Sequence, residues 1–160
     1  MHHLKQLKSQ AIALILARYQ LQLSRVPANK DIPHSFWGAP EAGRQRSVLF
    51  ARDDTPIHSI LHEASHFICM PAKQRIQDGI DAGGTAAEEN ATCYLQILLA
   101  DWIQGIDQNQ LMHDMDAWGY SFRLGSTARW FNADSEDARD WLLEKQIIDE
   151  QNQPTWKLRI

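Results

Sequence analysis

The chain has 160 residues and a formal net charge of -4, which suits one domain over residues 1–160 with its own continuous core. An acidic balance with scattered Lys and Arg excludes nucleic acid and anionic membrane as partners, since both need a basic face to displace counterions. The longest apolar stretch near the N-terminus, Ala11 to Ala17, is too short to span a bilayer and precedes no small-residue cleavage pattern, so a soluble cytoplasmic protein is expected.

Leu4, Leu7, Ala11, Leu14 and Ile15 recur at helical spacing and predict an amphipathic helix over Leu4 to Leu23. His2 and His3 are expected in a frayed terminus. Between Ser24 and Arg46, Pro27, Pro33, Gly38 and Pro40 interrupt any long element and predict a loop or a set of turns, anchored on the core by Phe36 and Trp37. The six tryptophans are expected mainly in the core. Ser47 to Ala51 reads as a β-strand followed by the turn-former Arg52-Asp53-Asp54. Thr55-Pro56 then supplies an N-cap residue and a proline for the first helical position, and Pro71 a stop.

The helix between these signals carries His62-Glu63-Ala64-Ser65-His66, an HExxH pattern. Positions i and i+4 share a helix face, so the two imidazoles can aim at one cation. Glu63 sits roughly 100° around the helix, where its carboxylate can act as a general base on a metal-activated water instead of ligating. His58, one turn earlier, is a candidate for an outer or alternative ligand.

Ala72 to Gly84 is polar and ends in Asp81-Ala82-Gly83-Gly84, a predicted connection. Thr85-Ala86-Ala87-Glu88 has the capping-box spacing and opens an apolar helix to Ile103. Glu88 shares its buried face with Thr92, Leu95, Leu99 and Trp102, whereas Glu89 projects toward the side of Gln96. A carboxylate at the end of a buried face needs a partner, and Glu88 is therefore chosen as third metal ligand, with Glu89 as its substitute. Cys69 and Cys93, the two cysteines, lie in apolar helices and read as buried thiols of a reduced compartment. A short helix from Gln110 to Trp118, closed by Gly119, an extended Tyr120 to Arg123, and a last helix opening at Asp134-Ser135 follow; Trp156 to Ile160 is left as an edge strand or a loose tail. The fold class is α+β and mainly helical, with an HExxH helix, a second ligand-bearing helix and a short β-sheet.

Two histidines and one glutamate fit a catalytic zinc site, which takes three protein ligands and keeps a position open. His113, Tyr120 and Arg123 are candidates for stabilising an oxyanion, and Asp81 and Asp101 for receiving imidazole protons.

The HExxH pattern followed 22 residues later by Glu88-Glu89-Asn90-Ala91 resembles the gluzincin zinc metallopeptidases. Glu88 and Ala91 match the Glu-x-x-Ala of small intracellular members, and Thr92 stands where they carry Asp or Asn. The resemblance implies a small zincin-like domain, Zn2+ held by His62, His66 and Glu88, Glu63 as catalytic base, and hydrolysis of a peptide or protein substrate that pairs with the strand Val48 to Ala51. Arg46 to Cys69 is also similar to the bacterial elongation factor P hydroxylases, which implies Fe2+ on the same two-histidine, one-carboxylate set and an oxygenation instead. That reading ranks second, because the aromatic-rich segment expected between the two helices is replaced by Gln77 to Thr85. A third reading is a metal-stabilised binding module without catalysis, which leaves Glu63 without a role.

Overall fold

The computed structural model describes residues 1–8, 10–77 and 84–160. They form α1 (Ala11–Ala17), β1 (Gln22–Arg25), β2 (Gly43–Gln45), β3 (Val48–Ala51), α2 (Ile57–Cys69), α3 (Ala72–Arg75), α4 (Ala86–Ala100), α5 (Gln108–Trp118), α6 (Thr127–Ala133) and α7 (Glu136–Glu144). This is the expected mainly helical α+β fold with a small sheet. No helix among the described residues is long and apolar enough to cross a membrane.

The apolar face of α2, with Ile57, Ile60, Leu61, Ala64 and Ile68, is fully buried. It packs against α4, whose Ala91, Leu95, Ile97 and Leu99 are equally inaccessible. Burying these two stripes against each other is what brings the ligand-bearing sides of both helices together. Of the expected capping box the Thr85 half forms, its hydroxyl oxygen accepting from the Glu88 N–H at 3.1 Å, while the Glu88 side chain pairs with Arg159. α5 ends where expected, at Gly119 with φ 111°, a left-handed conformation that glycine adopts without a Cβ clash.

Several expectations change. The N-terminal helix does not run from Leu4 to Leu23: a 3-10 turn covers Leu4–Gln6, α1 is seven residues long, and Gln22–Arg25 has joined the sheet. Non-local pairing of β1 with β3 outweighs the helical periodicity of its sequence. The terminus is also not frayed, since the His2 N–H donates to Asp114 at 2.9 Å and the Met1 amine lies 3.6 Å from the same carboxylate. Thr55 does not cap α2; its hydroxyl accepts from the Arg52 N–H at 2.9 Å, and the first helical N–H, that of Ile57, donates to the His2 carbonyl at 3.0 Å.

A further change bears on function. The strand order is β1-β3-β2, with β1 parallel and β2 antiparallel to β3. Val48–Ala51 is therefore the central strand, and its backbone groups are committed on both sides. A substrate cannot pair with it as the peptidase resemblance implies.

Among the tryptophans, Trp130 is buried, whereas Trp37, Trp102 and Trp118 are exposed. Phe36 is exposed beside Trp37, so this loop does not anchor on the core through its aromatics. Both cysteines are free and buried, as expected. The tail from Trp156 is neither a strand nor loose: the Arg159 N–H donates to the Ile68 carbonyl at 3.0 Å, which docks the chain end on the last turn of α2.

Candidate metal centre

α2 presents His62 and His66 one turn apart, and their Nε2 atoms face each other at 3.0 Å. From α4 the Glu89 carboxylate enters between them, with Oε1 3.3 Å from His62 Nε2 and Oε2 3.1 Å from His66 Nε2. One ligand atom from each of the three residues lies within 4.8 Å of the others, a group fit to hold a metal ion.

Glu88, the acid chosen from the sequence, is not in this group. It is buried as expected, but Arg159 Nη1 stands 3.2 Å from its Oε1, and the same guanidinium donates to the Cys69 carbonyl at 3.1 Å. The partner that a buried carboxylate requires is an arginine 71 residues away, and the substitute Glu89 faces the imidazoles instead.

Burial disfavours a charged His62, but the Tyr120 oxygen, Cys93 and Glu89 outweigh it and hold this imidazole well above its usual range. Burial likewise works to raise Glu89, and the hydrogen bonds from His62 and His66 overcome it, holding the carboxyl well below the usual carboxylate range. The cluster so favours a positive charge among its three ligand atoms, a place that a divalent cation fills in exchange for protons. Donor set, convergence and charge all fit a metal.

The sequence reading missed the residue behind His62. Gln96, fully buried on α4, has its Oε1 2.6 Å from His62 Nδ1 and donates through Nε2 to the His58 carbonyl at 3.2 Å. The signal was present: Gln96 lies seven residues after Glu89, two helical turns on and therefore on the same face. Of the acceptors expected for the imidazole protons, Asp101 serves elsewhere, taking the Gln108 N–H at 2.9 Å, and Asp81 lies outside the described residues.

A cavity of about 470 Å3 opens onto the cluster, lined by Phe36, Trp37, Glu41, His58, Ser59, His62, Glu63, His66, Glu89, Trp118, Gly119 and Tyr120. Glu63 is on its wall and outside the ligand group, with Arg44 Nε 4.0 Å from its Oε2. Arg44 is largely buried, and that burial lowers its pKa, opposed by Glu63. The candidate outer ligand His58 is not among the three ligands. Its Nδ1 lies 3.3 Å from the Tyr120 hydroxyl, and burial, with the charge of His62, pushes its pKa down to about 4.

Of the oxyanion candidates, only Tyr120 reaches the cavity, its ring edge-on to His62 at 5.8 Å between centroids. His113 is an exposed neighbour of Asp114, and Arg123 is bound to Asp134 through two hydrogen bonds of 2.8 Å. Searches against protein-family models, curated proteins and solved structures return no match to this chain.

Proposed function

We propose that this protein is a metal-dependent hydrolase, with His62, His66 and Glu89 holding Zn2+ and Glu63 acting as general base. The observation that carries the reading is the division of labour among the acids. Glu89 occupies the histidine pair, while Glu63 stands on the cavity wall outside the ligand group. A binding module has no use for the second carboxylate.

When bound, zinc supplies a Lewis acid that lowers the pKa of water and polarises a carbonyl. The remaining work falls to the chain. Glu63 accepts a proton at its carboxylate and passes it to the leaving group. Tyr120, on the cavity wall with its hydroxyl 3.3 Å from His58 Nδ1, is the candidate donor for charge developing on the substrate carbonyl. Phe36, Trp37 and Trp118 cover the apolar part of the substrate and displace water from it.

β3 has no free edge, so an extended substrate pairs with the outer edge of β2, which carries Arg44 beside Glu63, or is presented end-on as a side chain or chain terminus. A second reading, Fe2+ on the same three ligands and an oxygenation in place of hydrolysis, has no need of strand pairing. Metal analysis of protein purified without added metal, followed by activity assays with zinc and with iron under oxygen in the presence of a two-electron reductant, tests both. Zinc near one equivalent and hydrolysis blocked by a hydroxamate is the expected result. Oxygen-dependent turnover with iron alone transfers the site to the second reading, and a metal-free chain that takes up neither cation removes both.

A further inference from the structure

We propose that Gln96 is a positioning residue of this site, fixing His62 with its proton on Nδ1 so that Nε2 is the nitrogen offered to the cation. The proposal rests on the metal reading above and adds a residue to it. Its basis is a hydrogen-bond chain in which each link permits one orientation.

The His58 backbone carbonyl can only accept, so the group 3.2 Å from it must be the NH2 of Gln96. A flipped amide would set two oxygens against each other in a buried place. The Gln96 oxygen is then the atom facing His62 Nδ1 at 2.6 Å, and since an amide oxygen only accepts, Nδ1 must carry the proton. That leaves Nε2 as the ligating atom, on the side where Glu89 and His66 converge.

Gln96 is fully buried, and its two bonds tie α4 to two successive turns of α2. One side chain therefore sets both the tautomer of the first ligand and the depth at which the helix bearing Glu89 sits against it. Outer partners of this kind typically change metal affinity by roughly 10- to 100-fold.

The test uses the full chain with Zn2+ as probe, titrated against a chromophoric chelator, for wild type, Gln96→Met and Gln96→Glu. Gln96→Met keeps the volume and removes the acceptor. It is expected to weaken binding by roughly 10- to 100-fold, with stoichiometry and circular dichroism unchanged, while Gln96→Glu restores an acceptor and recovers part of the loss. Long-range proton–nitrogen spectra of the Zn2+-loaded wild type should show a slowly exchanging His62 Nδ1 proton that Gln96→Met loses. Unchanged affinity in Gln96→Met, or His62 ligating through Nδ1 in the wild type, overturns the role of Gln96 and leaves the metal reading intact. A wild-type chain that binds no Zn2+ overturns both. Should Gln96→Met fail to fold, the wild-type spectrum alone decides.

Discussion

Glu88 and Arg159 meet at 3.2 Å beside the candidate metal cluster, and this contact separates two adjacent acids into two different jobs. Arg159 also donates to the Cys69 carbonyl at the end of α2, so the pair pins the first turn of α4 to the last turn of α2. With Glu88 held on that side, its neighbour, roughly 100° around the helix, is turned to the imidazoles.

Substitutions at the two acids should therefore diverge. Glu89→Ala removes a ligand and should abolish stoichiometric Zn2+ uptake, with folding retained. Arg159→Ala leaves Glu88 buried without its partner and should lower stability by about 1–3 kcal/mol in urea unfolding, with metal affinity changed only a few-fold. Loss of metal in Glu88→Ala together with normal uptake in Glu89→Ala would reverse the assignment.

What the sequence conveyed about this site follows the range of the interactions involved. His62, Glu63 and His66 are legible because helix geometry alone relates them. The frame of α4 is legible too, since Thr85 caps it by a local bond. The choice between Glu88 and Glu89 is not, because it depends on Arg159, far along the chain and on a tail that carries no periodic signal. The strands divide in the same way: β3 is evident from its own composition, but β1 is a strand only because β3 lies beside it, and its sequence alone continues a helical pattern. The central position of β3, which closes that strand to any further pairing, is likewise a property of pairing and not of any one segment.

Glu63→Gln is the sharpest test of catalysis. The change is nearly isosteric and lies outside the ligand group, so Zn2+ should bind with affinity close to wild type. With the base gone, kcat should fall by roughly 100- to 10,000-fold. Metal titration and steady-state kinetics on the same preparation check both halves. Metal release by this variant makes Glu63 a ligand and cancels its role as base.

Phe36 and Trp37 are 64 % and 78 % exposed, packed edge to face at 4.9 Å at the cavity mouth. Such exposure contributes little to stability, so Trp37→Ala should shift unfolding by no more than about 0.5 kcal/mol. If the rings cover substrate, KM should rise by roughly 5- to 30-fold, the equivalent of 1–2 kcal/mol, with kcat unchanged. A fall in kcat at constant KM would place Trp37 in the chemistry instead of in binding.

His58 gives the metal-free protein a pH-dependent stability of defined sign. Burial, and then the nearby His62, depress its pKa from 6.5 to about 4 in the folded chain. Between these values the unfolded chain binds the proton and the folded one does not, so acidification favours unfolding. Stability is thus lost as pH falls from about 6.5 toward about 4, and no further loss from this group occurs below that. A shift of that size corresponds to at most about 3 kcal/mol. His58→Gln removes the titrating ring, so the difference in unfolding free energy between wild type and variant should change by up to about 3 kcal/mol across this window, moving in favour of the variant as the solution becomes more acidic. Urea unfolding of both chains at closely spaced pH values measures that difference, in which the titration of the shared carboxylates cancels. Parallel curves would mean that His58 titrates normally in the folded protein, and that its ring at the cavity lining is open to water.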